Sequence, residues 1–140
     1  MKKSFLYRFF GIGKIPAQYS TAIQSEGVIL SDEGISGTVT YINFRSPNRY
    51  SNWRKQWYVT SIVMTSTRLL AFRSANPTIN VPYSDSHFRE LKISLEGKST
   101  LLIAFDAGLF HNDWSGTIEY RFKTEYAREL FDKLNQKQTI

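Results

Sequence analysis

The chain has 140 residues, of which 41% are hydrophobic and 15% aromatic, and its formal net charge is +6 at pH 7. A chain of this length and composition buries roughly two-thirds of the surface it exposes when unfolded, which favours one folded domain and excludes a disordered chain. It contains no cysteine, which excludes disulfides, thiolate catalysis and cysteine-based metal sites and suits a reducing compartment such as the cytoplasm.

The beginning of the sequence predicts a basic, aromatic arm over residues 1–26, ahead of a domain over residues 27–140. Its opening run imitates a secretory signal, but Arg8 interrupts the apolar stretch and no small-residue cleavage site follows, so we expect no signal peptide. Packing of the arm onto the domain is the favoured interpretation, and an anchor in a membrane interface is the alternative. A proline at the first turn and a glycine after the end bracket a short predicted helix, Ala17–Ser25.

Seven segments enriched in β-branched and aromatic residues follow, separated by turn residues, and they predict a mainly β domain. The predicted strands are Thr38–Phe44, Gln56–Thr65, Arg68–Arg73, Thr78–Val81, Phe88–Leu95, Thr100–Asp106 and Thr117–Lys123. Short turns at Ser66–Thr67 and Gly97–Lys98 indicate antiparallel hairpins. Pro82 favours an edge position for the fourth strand, because proline cannot donate to a neighbouring strand.

The alternation of apolar and polar residues is most regular in the last three strands, and it predicts their core-facing side chains. The predicted core residues are Leu91, Ile93, Leu95, Leu101, Ile103, Phe105, Ile118, Tyr120 and Phe122. The strand Gln56–Thr65 instead carries apolar residues on both sides, which predicts that both of its faces are covered. Such a strand is either central in the sheet or covered by the N-terminal arm.

The chain closes with a predicted amphipathic helix, Glu125–Gln136, for which Thr124 is a suitable N-cap. Its apolar residues are spaced i, i+3, i+4 and i+7, so one stripe faces inward. These residues are Ala127, Leu130, Phe131 and Leu134. A single helix of this length can cap one end of a small, strongly bent sheet.

Seven strands followed by one amphipathic helix resemble the pleckstrin homology superfold. The segment Val59–Phe72, VTSIVMTSTRLLAF, resembles a hairpin of bacterial pleckstrin homology-like and GRAM-like domains, in which threonine, two turn residues and Arg-Leu join two strands. The resemblance implies a two-sheet sandwich or open barrel of about seven antiparallel strands, capped by the C-terminal helix. It also implies that anionic ligands would bind where the first strand ends and the second begins.

Residues 45–55, RSPNRYSNWRK, occupy that position and contain four positive charges and no acid. They contribute to an uneven distribution of charge, with a net +5 over residues 1–57 and +1 over the remaining 83. Arginine binds phosphate through a planar fork of donors, and aromatic rings favour the lipid headgroup region. The candidate anion- or lipid-binding residues are Arg45, Arg49, Tyr50, Trp53, Arg54 and Lys55. A solvated loop that keeps the domain soluble is the alternative.

The two cations that begin the second strand differ from the signature of phosphoinositide-binding relatives. That signature separates two basic residues by one position, whereas Arg54 and Lys55 are adjacent. Adjacent side chains on a strand point to opposite faces, so the two do not converge on one phosphate. The pattern therefore predicts a general anion-facing loop rather than a dedicated phosphoinositide socket.

Catalytic and metal-binding patterns are weak in this sequence. His87 and His111 are separated by two predicted strands and belong to no triad or metal-ligand spacing. Asp106, His111 and Asp113 share the last hairpin loop, where turn formation accounts for the acidic residues. We therefore expect no enzyme, no cofactor and no metal.

The resulting functional prediction is a non-catalytic binding module in the cytoplasm, with peripheral attachment to the membrane left open. Its expected partner is an anionic phospholipid surface or an acidic protein, engaged through residues 45–55. The alternative is a protein-interaction or structural domain without a lipid ligand. Nucleic acid is the runner-up partner, because aromatic residues alternate with cations in the same loop. No segment approaches the roughly 20 apolar residues of a membrane-spanning helix.

Overall fold

One antiparallel sheet dominates the computed structural model, which describes residues 15–74 and 76–139. Most of the predicted N-terminal arm precedes residue 15, so both interpretations of its packing lie outside the described residues. In chain order the elements are α1 (Ala17–Glu26), β1 (Val28–Ser46), β2 (Arg49–Ser51), β3 (Arg54–Thr65), β4 (Arg68–Arg73), β5 (Asn76–Pro82), α2 (Ser86–Arg89), β6 (Lys92–Glu96), β7 (Thr100–Asp106), β8 (Ser115–Lys123) and α3 (Ala127–Gln138).

The long strand β1 organises the sheet. It pairs with β3 on one side and β8 on the other, and the strand order is β5-β4-β3-β1-β8-β7-β6, with β2 paired to the end of β1. The sheet curls into an antiparallel half-barrel of seven main strands with a C-terminal helix. The mainly β prediction is confirmed, and of the two expected forms the open barrel is observed. Pro82 ends β5, which lies at an edge as predicted.

The main core lies between the concave face of the sheet and α3. All nine predicted core residues belong to it: six are fully buried, and Ile93, Leu95 and Tyr120 pack against the same cluster while partly buried. Helix α3 buries Ala127, Leu130 and Leu134. The amphipathic stripe thus faces the sheet as predicted, and burial of its leucines contributes about 1.5–3 kcal/mol each to folding.

A second, smaller core lies on the convex face, where α1 covers β3 and β4. Ile23 of α1 packs with Val63, Leu70 and Phe72, and the ring of Tyr19 lies 5.0 Å from that of Phe72. Neighbouring residues of β3 point into the main core instead. The prediction that both faces of this strand are covered is therefore confirmed, and the cover on the convex side is α1.

The β3–β4 hairpin joins this helix to the sheet through hydrogen bonds. The Thr65 hydroxyl accepts from the backbone N–H groups of Thr67 (3.2 Å) and Arg68 (3.0 Å), and it lies 2.8 Å from Glu26 Oε1. Arg68 donates from Nε and Nη2 to the two carboxylate oxygens of Glu26, at 3.0 and 2.7 Å. The threonine and arginine of the resembling segment thus close a tight turn and anchor the end of α1.

Two predicted strands differ from those observed. The predicted strand Phe88–Leu95 begins only at Lys92, because Asp85 caps a helical turn by accepting from the His87 N–H at 2.9 Å. Phe88 is fully buried in that turn. The first predicted strand began at Thr38, but β1 begins ten residues earlier.

Local features explain the observed starts of β1 and of α3. Asp32 and Glu33, which have the composition of a turn, form an irregularity inside β1, where the register with β3 shifts before Ile35. Helix α3 begins at Ala127 rather than at residue 125. The Thr124 hydroxyl accepts from the Tyr126 N–H at 3.1 Å and donates to Asp32 Oδ2 at 2.6 Å, so it caps the turn that precedes the helix.

Candidate anion-binding surface

Three connections lie together at one end of the half-barrel, which we call the open end. They are the connection between β1 and β3, the turn after β4 at Ser74, and residues 107–114 between β7 and β8. The antiparallel pairing causes this, since β1, β4 and β7 run toward this end while β3, β5 and β8 run away from it. Helix α3 follows β8 and therefore begins at the opposite end.

The candidate residues 45–55 form a two-stranded projection at the open end, which we call the basic hairpin. Arg45 lies opposite Tyr50 and Ser46 opposite Arg49, where β1 pairs with β2. Trp53 stands in the bend between β2 and β3 with a φ of 57°. The predicted exposed hairpin loop is therefore present, and it contains a short strand that the sequence pattern did not indicate.

A backbone contact fixes the base of the hairpin. Asn43 adopts a φ of 48°, and its N–H donates to Asn52 Oδ1 at 3.1 Å. Gly116 of β8 lies against it so closely that an added Cβ would stand 2.3 Å from the Asn43 carbonyl oxygen. Glycine is therefore required at position 116, and this bulge in β1 bends the hairpin away from the line of the strand.

Aromatic rings support two of the hairpin arginines. The Arg45 guanidinium carbon lies 4.7 Å from the centre of the Tyr50 ring. The Arg49 guanidinium carbon lies 4.7 Å from the Tyr41 ring and 5.8 Å from the Phe44 ring, and its Nε donates to Ser51 Oγ at 3.2 Å. Stacking of this kind orients a guanidinium while leaving donors in its plane for an anion.

The cations of the basic hairpin form no ion pair with any described carboxylate. Elsewhere in the described part of the chain, Arg68 pairs with Glu26 at 2.7 Å and Arg121 pairs with Glu96 at 2.7 Å. The six candidate residues are all exposed, and Trp53 retains 69% of its accessible surface. The hairpin thus presents cations that form no ion pair among the described residues, beside exposed aromatic surface.

The cations are divided between the two faces of the hairpin. Arg54 pairs with Tyr41. Because side chains alternate along β3, Arg54 lies on the same concave side as Tyr58, which is four residues further along and buried in the main core. Arg49 stacks on Tyr41 from the same side. Lys55 points the other way, into a shallow cleft of about 230 Å³ on the convex face. The separation expected for adjacent residues on a strand is therefore present.

One arginine at the open end was not indicated by the sequence. Arg73, the last residue of β4, places its guanidinium carbon 5.0 Å from the Tyr58 ring and donates from Nη1 to Gln56 Oε1 at 3.2 Å. Tyr41 and Tyr120 are close enough to Tyr58 to raise its pKa. The pairing of β3 with β4 brings Arg73 to Tyr58, and the charge pattern along the chain did not point to this arginine.

Burial favours the protonated form of Tyr58 and of Tyr120. Burial raises the pKa of Tyr58 and of Tyr120 far above the ordinary value, and neighbouring tyrosines raise both further while Arg73 lowers them. The hydroxyl of Tyr58 is buried and has no hydrogen-bond partner among the described residues. The concave side of the open end therefore offers neutral hydroxyl groups close to positive charge.

The loop between β7 and β8 brings both histidines to the same region. The His111 ring stacks on Trp114 at 3.6 Å, and His87 meets Phe110 edge-on at 5.7 Å. Asp106 accepts from the Gly108 N–H at 2.8 Å, which is the turn-forming role that the sequence favoured. Within residues 15–74 and 76–139, no three acidic or histidine side chains gather as metal ligands.

Comparison of the chain with protein-family models and with curated protein sequences finds no match. None of the described helices is long and apolar enough to cross a membrane. The features that distinguish this surface are its unpaired cations, its stacked arginines and its exposed tryptophan.

Proposed function

We propose that the chain is a non-catalytic, pleckstrin homology-like module that attaches to anionic membrane surfaces through the basic hairpin. The order of seven main strands and a terminal helix supports the family assignment, as does the hairpin closed by Thr65 and Arg68. The proposal includes a cytoplasmic location with peripheral attachment, which suits a chain without cysteine. The observation that carries it is the combination of unpaired cations with an exposed Trp53.

The distribution of positive charge favours binding to a membrane surface over binding to a single lipid headgroup. Arg49 and Arg54 lie on one side of the hairpin and Lys55 on the other, so one phosphate cannot contact all three. A membrane that receives the tip of the hairpin can contact both sides at once. Each cation near an anionic leaflet contributes about 1 kcal/mol, so four give attachment that is reversible and sensitive to salt.

Exposed aromatic residues favour lipid over an acidic protein as the partner. Tyr50 is 55% exposed and Trp53 is 69% exposed, and both lie between Arg49 and Arg54 in the sequence. Tryptophan and tyrosine rings are stabilised at the depth of lipid headgroups, where one edge is apolar and the other polar. An acidic protein would engage the same charges without needing these rings to be exposed.

Flotation with vesicles tests the proposal. We expect the protein to float with vesicles that contain phosphatidylserine, to release them as salt rises, and not to float with phosphatidylcholine alone. Charge reversal of the hairpin should abolish flotation. The test variant combines Arg45→Glu, Arg49→Glu and Arg54→Glu.

A control variant changes the net charge equally at exposed positions outside the hairpin. It combines Lys92→Glu, Lys98→Glu and Arg128→Glu. We expect this variant to retain most of the binding. Absence of binding to anionic vesicles at low salt would contradict membrane attachment and favour a protein-interaction or structural role, and equal loss in the two variants would contradict the assignment to the hairpin.

A further inference from the structure

A cavity of about 380 Å³ opens between β5, β8 and the loop before β8. Small-molecule sites in proteins have volumes of roughly 300 Å³ and more and are mostly apolar, with a few polar groups. This cavity has that character, since most of its lining side chains are aromatic or aliphatic. The wall residues on which the inference depends are Ile79, Phe105, Phe110, Trp114, Ile118 and Tyr120.

The walls suit a flat ring in particular. Phe105 meets Phe110 edge-on at 5.4 Å, and Trp114 stacks on His111 at the rim. Aromatic rings associate edge-to-face or offset-stacked with ring centres about 4.5–7 Å apart, so rings arranged on several sides of one space favour an aromatic guest. An aliphatic ligand would bury apolar surface in the cavity but would not form these oriented ring contacts.

One wall carries a polar group that lacks a partner. Thr78 of the edge strand β5 lines the cavity, and its hydroxyl is buried without a hydrogen-bond partner among the described residues. A buried hydroxyl left unpaired is costly, but this oxygen is not exposed to the cavity, so a ligand would reach it only after a local shift of β5. The cavity is therefore mainly apolar.

Positive charge stands next to two walls of the cavity. Trp114 meets Phe44 edge-on at 5.2 Å, and Phe44 lies beneath the Arg49 guanidinium. Arg73 ends β4 opposite Asn76 of β5, which is the chain neighbour of the wall residue Pro77. Neither arginine pairs with a described carboxylate. Neither arginine lines the cavity itself, so a ligand seated against Trp114 would have two arginines beside the walls rather than within them.

We propose that this cavity binds a small aromatic anion, with the ring among Phe105, Phe110, Trp114 and Tyr120 and its carboxylate or phosphate directed toward Arg49 and Arg73. The site shares Arg49 with the basic hairpin, but its ring contacts lie inside the half-barrel and do not involve a membrane. Binding therefore requires no vesicle, and it does not rest on the function proposed above.

The test compares 2-naphthoate with its neutral analogue 2-naphthamide, using calorimetry and amide chemical shifts of the full chain without lipid. We expect 2-naphthoate to bind several-fold more tightly and to shift residues of the cavity wall. Equal affinity for the two compounds would overturn the role of charge. No binding of either at millimolar concentration would overturn the site.

Variants separate the contributions of ring and charge. Trp114→Ala removes a wall and should abolish binding, whereas Trp57→Ala, an exposed tryptophan outside the cavity, should leave it unchanged. Arg73→Gln should remove most of the preference for 2-naphthoate while the amide still binds. Retained binding in a folded Trp114→Ala variant, or an unchanged preference in Arg73→Gln, would overturn the proposal. Full competition by inorganic phosphate would do the same, because the ring would then be dispensable.

Discussion

At the scale of single residues, the basic hairpin combines two properties that folded proteins usually separate. Its cations lack carboxylate partners among the described residues, and Trp53 is largely exposed in a backbone conformation with positive φ. Such a conformation is uncommon for a bulky residue, and it costs of order 1 kcal/mol or more. The rest of the hairpin holds it there, since Asn52 bridges to the Asn43 N–H.

Trp53→Ala should weaken membrane attachment at low and at high salt concentration. Withdrawal of part of this ring from water contributes roughly 1–2 kcal/mol, or about 5- to 30-fold in partitioning. The loss should persist at high salt, because it is not electrostatic. Vesicle partitioning at two salt concentrations measures it, and Trp57→Ala is the control, since that ring is 56% exposed but lies outside the hairpin. A loss that disappears at high salt would show that the ring acts only through the charges around it.

At the scale of elements, α1 is attached to the sheet by one small apolar cluster and one ion pair. Glu26, the last residue of α1, receives two hydrogen bonds from Arg68, and the pair is about four-fifths buried. The hydrogen bond from Arg68 holds the pKa of the Glu26 carboxyl below its ordinary value of 4.5, and those from Thr65 and Thr67 lower it further against the opposing effect of burial.

Glu26→Gln should therefore destabilise the protein at neutral pH and much less in acid. A carboxyl whose folded pKa is lowered contributes stability above the unfolded pKa and loses it as pH falls through the folded pKa. We expect a loss of roughly 1–2 kcal/mol at pH 7, the scale of hydrogen bonds to a charged group, and a shrinking difference below about pH 4.5.

Urea unfolding of the wild type and the variant at pH 7 and pH 3 measures this difference. Glu90→Gln, at an exposed position after α2, is the control and should change stability little at either pH. A difference between Glu26→Gln and wild type that is the same at both pH values would contradict the role of the charged pair.

At the scale of the whole molecule, β1 links the two halves of the half-barrel. Its 19 residues pair with β3, β8 and β2, while β5 and β6 remain edges of the sheet. Hydrogen exchange should follow this arrangement, because exchange from a central strand requires global opening while edges open locally. We expect the slowest amides in the middle of β1, near Val39, and the fastest strand amides in β5 and β6, measured by exchange NMR. Comparable protection in β1 and β6 would contradict a sheet that is open at its edges.

The parts of the fold that local patterns predict are those in which one face of an element is buried. Alternation located β7, β8 and their core residues, and helical spacing located α3, since each pattern reflects burial on one side. The first ten residues of β1 escaped prediction because Asp32 and Glu33 have the composition of a turn, although this part of β1 pairs with β3. Phe88 was assigned to a strand because its apolar character does not distinguish a buried helical turn from a strand.

The candidate site was predictable only in part. Charge composition located the basic hairpin, and strand alternation anticipated the divergence of Arg54 from Lys55. The cavity was not predictable, since its walls come from β5, β7, β8 and the loop before β8, which are far apart in sequence. Arg73 was not singled out because it is isolated from the basic cluster in sequence, although the β3–β4 pairing brings it to Tyr58. The stacking of Arg49 on Tyr41 likewise depends on the bend at Asn43, a backbone feature without a strong composition signal.

The placement of the three connections at one end has a consequence for how a ligand would arrive. A chain attached by the basic hairpin would turn its open end toward the bilayer, so the cavity entrance beside Trp114 would lie in the headgroup layer rather than in bulk water. Aromatic anions partition into that layer according to their own hydrophobicity. The concentration that such a cavity encounters would therefore be set by the lipid phase. Attachment and occupancy would become coupled through orientation, although Arg49 is the contact residue that they share.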